Sequence, residues 1–309
     1  MSAPAAELVG VSRSFGGTPA LQDVDVALPS GAIVGLLGRN GAGKTTIMRL
    51  LTGHVRPGSG RVRLDGRDPW EDAAVLSRTC FVREAQKYPD GIRVAQVLRS
   101  ASYVLPGWDD AYARELAADF GLPGRRAVSK LSRGMLSAVG VVVGLASRAP
   151  VTFFDEPYLG LDATARQLFY DRLLADYAEH PRTVVLSTHL IDEVADLLGH
   201  VVVVDSGRVV LDEDAEDLRG RGAVLVGPEP AVSSLLADRP VLGRERLGGT
   251  VRVAVAWPLT EPDRAGADRA GVAVEPLSLQ QLVVRTTAPS PRAGAVGAAR
   301  TDLVEGARR

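Results

Sequence analysis

Four short apolar runs frame the chain: Ala32–Leu37, Val151–Phe154, Thr183–Ser187 and Val201–Val204. Each is too short for a buried helix, so each predicts a strand covered on both faces. Shorter strands are predicted at Leu8–Ser12, Val24–Leu28, Arg61–Leu64 and Thr79–Arg83, with turns at Pro29-Ser30-Gly31 and, of hairpin type, at Asp65-Gly66. Helical spacing follows the first apolar run at Ile47–Leu51 and returns at Ala163–Tyr177 and Ile191–Leu198. Between Ile92 and Arg126 the apolar positions Val94, Val97, Leu98, Leu116 and Phe120 also keep helical spacing, broken at Pro106-Gly107 and Pro123-Gly124. Strands alternating with helices argue for a largely parallel sheet, here carrying a helical subdomain at about residues 90–147.

The pattern changes near Gly222. Strands at Val224–Val226, Val241–Arg246, Val251–Trp257 and Val272–Val274 are interleaved with helices at Val232–Asp238, Pro262–Ala270 and Ser278–Val284. The order βαββαβ is the split βαβ arrangement of ferredoxin-like domains. The chain therefore divides into an α/β unit over 1–221, a small α+β unit over 222–286, and a tail over 287–309. That tail is rich in Ala, Gly, Pro and Arg without periodicity and reads as disordered. Truncation after Arg221 should leave the first unit folded.

Composition narrows the partners. A net charge of −1 over 309 residues supplies no broad basic field, so a nucleic-acid partner is not expected. Cys80 is the only cysteine, which rules out an intramolecular disulfide. Met1–Glu7 lacks the basic and apolar regions of a signal peptide, and the apolar run Met135–Ala146 falls short of the roughly 20 residues a bilayer crossing needs.

The candidate chemistry begins where the first apolar run ends. Gly38, Arg39, Asn40, Gly41, Ala42, Gly43, Lys44, Thr45 and Thr46 fit the phosphate-binding P-loop pattern between a strand and a helix. Glycines let backbone N–H groups approach phosphate oxygens, and the helix N-terminus adds unpaired donors. Lys44 is placed to reach the β- and γ-phosphates, and the Thr45 hydroxyl to ligate Mg²⁺. The apolar run Val151–Phe154 leads into Asp155-Glu156-Pro157. A carboxylate delivered there suits a second Mg²⁺ contact from Asp155, while Glu156 would orient and polarise the attacking water. Upstream, Leu131-Ser132-Arg133-Gly134-Met135 opens an apolar helix. By itself Ser132 reads as a helix N-cap.

Taken in order, the P-loop, helical insert, LSxG helix start and Asp-Glu-Pro strand resemble the ATP-binding cassette of ABC proteins. The resemblance spans about residues 8–211 and implies a P-loop NTPase ABC-cassette fold with a helical subdomain and a small α+β C-terminal domain. It implies that Ser132 and the Gly134 backbone cap the γ-phosphate held by a second cassette's P-loop. Asp162, in Gly160-Leu161-Asp162, takes the D-loop position beside the dimer interface. His189, after Ser187-Thr188, takes that of the switch histidine, and Phe15 that of the aromatic that stacks on adenine; a core phenylalanine is the other reading of Phe15. The Q-loop position falls on Glu84 or Gln86. Arg133 and Met135 depart from the family, which usually has Gly and Gln there.

These matches imply ATP and Mg²⁺ as ligands, with Lys44, Glu156 and His189 in the catalytic roles. They imply a homodimer or heterodimer of cassettes that closes around ATP and opens on hydrolysis. Separate transmembrane permease subunits, contacted near Glu84–Gln86 and the helical insert, would take up the motion at the cytoplasmic face of the cell membrane. A C-terminal extension without a fused membrane domain is more typical of exporters in that family. The alternative within the family is an ATPase acting on ribosomes or DNA. Those members resemble two cassettes in one chain, or a cassette interrupted by a coiled coil; this chain has one cassette and no sustained heptads. A P-loop kinase would need neither the Ser132 helix, Asp162 nor His189.

Overall fold

The computed structural model describes residues 3–287 apart from 85, 220 and 238. Apart from Thr287, the tail expected at 287–309 lies outside the described residues, as does the helix end expected at Asp238.

The chain opens with a hairpin of β1 (Ala6–Phe15) and β2 (Thr18–Leu28), followed by β3 (Ile33–Leu37) and helix α1 (Lys44–Leu51). Next come β4 (Ser59–Leu64), the one-turn helix α2 (Ala73–Leu76) and β5 (Thr79–Val82). The helical stretch holds α3 (Val94–Val104), α4 (Asp110–Asp119) and α5 (Arg133–Ala146). The chain then returns to the sheet through β6 (Val151–Asp155), α6 (Ala163–Glu179), β7 (Thr183–Thr188) and α7 (Ile191–Val194). The edge is made by β8 (His200–Asp205), β9 (Arg208–Asp214) and α8 (Ala215–Leu218). A last segment contains β10 (Ala223–Pro228), α9 (Glu229–Leu236), β11 (Gly243–Leu247) and β12 (Thr250–Val255). It ends with α10 (Glu261–Arg269), β13 (Ala273–Pro276) and α11 (Leu279–Thr287).

The central sheet has the order β5-β6-β7-β3-β8-β9, parallel except for β9. Every residue of β3, β6 and β7 is buried, which is why these strands are continuous apolar runs with no alternation. One face packs against Ile47, Met48, Leu50 and Leu51 of α1, backed by the antiparallel sheet β2-β1-β4. The other face packs against α5 and α6 through Val141, Val142, Leu145, Phe169 and Leu173.

Register fixes where the chemistry gathers. Leu37 pairs with Thr188, and Asp155 pairs with Ser187. The P-loop, the Asp155-Glu156 corner and the Thr188-His189 corner therefore leave the sheet at neighbouring carboxyl ends, where open α/β sheets bind ligands.

The sequence reading departs from the structure in several places. Asp65-Gly66 does turn the chain, but only Leu64 and Arg67 pair across it, and β4 takes β1 as its ladder partner. The helix expected over Ile191–Leu198 divides into α7 and a 3₁₀ turn at Ala195–Leu197. Strand β9 was not anticipated.

The last segment forms its own sheet, ordered β11-β12-β10-β13 with every neighbouring pair antiparallel. Strands β10 and β11 therefore run parallel with β12 between them, the split βαβ order anticipated from the sequence. Leu225, Val232, Val251, Val253 and Val255 make its core. Helix α11 does not join that core: its Leu282 and Val283 pack into the core under the central sheet.

Candidate functional site

The P-loop is fixed by geometry that only glycine allows. Gly38 sits at φ 147°, and a Cβ there would lie 2.2 Å from the Val204 carbonyl oxygen. Lys44, the first residue of α1, is 6% exposed. Its ammonium donates to the carbonyls of Gly38 at 2.8 Å and Arg39 at 3.2 Å. A buried cation is thus held at the mouth of the helix N-terminus, where anions are favoured.

Strand β6 delivers Asp155 and Glu156 at its carboxyl end, and Ser187 on the adjacent β7 orders both. The Ser187 hydroxyl donates to Asp155 Oδ1 at 2.7 Å and accepts the Glu156 N–H at 3.1 Å. Glu156 lies at φ 50°, a left-handed conformation that costs a non-glycine residue about 1–3 kcal/mol and clusters at functional sites. The turn aims its carboxylate between two cationic or proton-bearing groups. Oε1 is 3.5 Å from Lys44 Nζ, and Oε2 is 2.8 Å from His189 Nδ1. Oε2 also accepts from the Tyr158 hydroxyl.

An open cavity of about 440 Å³ lies over this arrangement. Asn40, Gly41, Gly43, Lys44, Thr45 and Thr46 line it from the loop, joined by Glu84, Glu156 and His189. The structure thus brings together most of the phosphate-side residues expected from the sequence. Of the two Q-loop candidates, Glu84 lines the cavity and Gln86 does not. Asp155, only 4% exposed, stands behind it. The donor set suits Mg²⁺, which takes one or two protein oxygens plus phosphates. Among the described residues no group of three or more His, Cys, Asp or Glu side chains could cage a metal by itself.

The remaining candidates lie elsewhere. Phe15 ends β1 with 40% of its surface exposed and the Arg13 guanidinium 4.8 Å over its ring, which removes the core reading. Ser132 is an exposed N-cap of α5, its Oγ accepting the Met135 N–H at 3.2 Å. Asp162 caps α6 in the same way, accepting the Ala165 N–H at 2.9 Å. Ser132, Gly134 and Asp162 are absent from the cavity lining. The start of α5 and the Gly160 turn are nevertheless pressed together: a Cβ on Gly134 would lie 2.5 Å from the Gly160 carbonyl oxygen. Ser137 reinforces that contact by donating to the Leu159 carbonyl at 2.5 Å.

Sequence reasoning passed over Tyr158. Its ring is 2% exposed, and its hydroxyl meets Glu156, Thr188 and His189. In the sequence it is one more apolar-looking residue after Asp-Glu-Pro. Its polar tip, at the end of a strand already suspected of chemistry, was the available signal.

Comparison with known proteins identifies the family. A family model described as "ABC transporter" matches residues 21–159. The daunorubicin/doxorubicin resistance ATP-binding protein DrrA of Streptomyces peucetius is 31% identical over 224 residues, covering 70% of this chain and 67% of that protein. The aliphatic sulfonates import ATP-binding protein SsuB 1 of Rhizobium johnstonii is 31% identical over 222 residues, covering 68% and 78%. Among solved structures, an ATP-binding subunit of an ABC transporter superposes with a TM-score of 0.62 at 24% identity, covering 69% of this chain and 91% of that one. The P-loop, the strand-end carboxylates and these likenesses lead to one conclusion: the chain belongs to the ABC transporter family, as an ATP-binding, ATP-hydrolysing subunit.

Proposed function

We propose that this subunit binds MgATP in the P-loop cavity, closes against a second cassette, and uses hydrolysis to drive transport through separate transmembrane subunits. The observation that carries the reading is the position of Glu156, its Oε1 3.5 Å from Lys44 and its Oε2 2.8 Å from His189 at the cavity wall. Lys44 and the loop N–H groups would hold the phosphates, and Thr45 and Asp155 would hold Mg²⁺. When bound, that ion neutralises charge developing on the phosphate oxygens. Glu156 takes a proton from water as the water oxygen bonds to the γ-phosphorus and the bond to the ADP oxygen breaks. With MgATP bound, His189 would contact the γ-phosphate and Glu84 the metal shell, and Phe15 would stack on adenine.

Ser132, Gly134 and Asp162 act on the nucleotide of the partner cassette, in keeping with their location away from this chain's own cavity. A twofold pairing would bury two nucleotides at a self-complementary interface. No helix among the described residues is long and apolar enough to cross a membrane, which suits a subunit at the cytoplasmic face bound to permease partners. Export is the direction we propose. Relatives at 31% identity include both a resistance protein and an importer subunit, so transport in inverted vesicles with the co-purified permease is the deciding measurement.

The hydrolysis reading is tested with Glu156→Gln. This variant should bind ATP, turn it over at least about 100-fold more slowly, and accumulate as an ATP-dependent dimer in sedimentation. Undiminished turnover would remove Glu156 from the role of base. Recovery of ribosomes or DNA instead of an integral-membrane partner would overturn the transport reading.

A further inference from the structure

We propose that Tyr158 is a positioning residue for hydrolysis: its hydroxyl holds Oε2 of Glu156 and so fixes the carboxylate, with Oε1 turned toward Lys44. The inference rests on Glu156 being the base. It follows from counting protons around one buried hydroxyl. A phenol has one proton to donate and two lone pairs to accept with. Two donors already point at the Tyr158 oxygen, the Thr188 hydroxyl at 3.0 Å and the His189 backbone N–H at 3.1 Å. Thr188 Oγ1 itself accepts the Leu190 N–H at 2.9 Å, which leaves its own proton free for Tyr158. The single Tyr158 proton then goes to Glu156 Oε2.

His189 is constrained by the same count. Its Nδ1 lies 2.8 Å from Glu156 Oε2 and 3.0 Å from the Tyr158 oxygen. A carboxylate only accepts, so Nδ1 carries a proton and donates it to Oε2. That leaves Nε2 as the ring nitrogen available to a ligand, and it can donate to a phosphate oxygen only when it also carries a proton. Oε2 is therefore held by two donors, whereas Oε1 is buried without a hydrogen-bond partner and faces Lys44 at 3.5 Å. The phenol is a stable anchor: burial, and then the Glu156 carboxylate, push its pKa well above the ordinary phenol range, so it keeps its proton. One hydroxyl thus ties the end of β7 to the end of β6.

The test uses the full chain with Tyr158→Phe, which keeps the ring and deletes the anchor. We expect kcat to fall roughly 10- to 100-fold, the range for losing one hydrogen bond to a charged group, with KM for ATP unchanged within about twofold. In a Glu156→Gln background the same substitution should cause no further loss, because a residue acting through Glu156 is not additive with it. A wild-type rate for Tyr158→Phe, or losses that add, would overturn the positioning role while leaving Glu156 as base. Full turnover by Glu156→Gln would instead overturn the base assignment.

A second measurement needs no variant enzyme to fold. The chain has four histidines, and ¹⁵N-histidine spectra of the wild-type protein should show His189 protonated at Nδ1. A neutral ring with its proton on Nε2 would overturn the proton count.

Discussion

Asp176 offers the sharpest stability test in the main unit. It lies on α6 with its side chain 1% exposed, and its carboxylate is 2.6 Å from the Arg182 guanidinium, itself 5% exposed. Arg148 approaches the same carboxylate at 3.4 Å and reaches Asp109 at 3.3 Å. Asp109 caps α4, accepting the Tyr112 N–H at 2.9 Å, so the network links the helical subdomain to the sheet. Asp176→Asn keeps the shape but strands a buried guanidinium. Breaking one side of a buried pair costs about 3–5 kcal/mol, because the remaining charge has been taken out of water without compensation. At ~2–4 °C per kcal/mol for a unit of this size, the melting temperature should fall by roughly 6–20 °C. Differential scanning calorimetry at pH 7 measures it. The companion is Asp176→Leu with Arg182→Met, which removes both charges and should recover most of the loss. A single variant melting within about 2 °C of the parent, or a double variant worse than the single, would refute the argument.

Three further outcomes follow from the site and its surroundings. Lys44→Ala should lose ATP binding or at least about 100-fold in turnover, since it removes the buried ammonium aimed at the phosphates; isothermal titration and phosphate release measure the two losses separately. Gly160→Val places a side chain at φ 91° with its Cβ about 3.1 Å from the Arg133 backbone, so it should disturb the start of α5 and slow ATP turnover while single-site ATP affinity holds. His200 contributes one part of the pH response. Burial opposes its charge, but hydrogen bonds and charges from Asp212 and Asp214 outweigh that and raise its pKa above 6.5. Its contribution is then fully present below about pH 6.5 and lost as pH rises through the higher folded value, so His200→Gln should flatten that slope in urea titrations.

The parallel sheet was legible because strands buried on both faces leave unbroken apolar runs, and the P-loop was legible because Gly38, Gly41 and Gly43 all take positive φ, a conformation that selects glycine. Strand β9 was not, for the opposite reason. It is an edge strand whose residues alternate between exposed and half-buried, with charge at Arg208, Asp212 and Asp214, so it resembles a loop until paired. The Ser206-Gly207 turn, at φ 48° and 76°, was its one local signal. Within the site, motif residues were legible and their anchors were not. Tyr158 belongs to no spacing pattern, and Ser187 was read only as the approach to His189; both anchor Glu156 because register sets β6 beside β7. That Glu84 lines the cavity and Gln86 does not is likewise a tertiary fact.

Helix α11 changes what truncation after Arg221 should do. Read from the sequence, that cut separates two independent units. In the fold, Leu282 and Val283 are 6% and 3% exposed within the core beneath the central sheet, in the cluster that also holds Ile191, Val194, Ala215 and Leu218. Burial of one such side chain stabilises by about 1.5–3 kcal/mol, so losing both removes roughly 3–6 kcal/mol. Fragment 1–221 should therefore still fold and bind ATP, because the P-loop cavity takes no lining from α11. It should melt lower than the full chain by on the order of 6–24 °C. Leu282→Ala with Val283→Ala in the full chain separates docking from mere loss of a neighbour, and should reproduce most of that drop while the small sheet stays folded. A fragment as stable as the parent, alongside a silent double variant, would mean that α11 contributes nothing to the core it enters. A fragment that cannot fold would mean that the C-terminal segment is an integral part of the cassette.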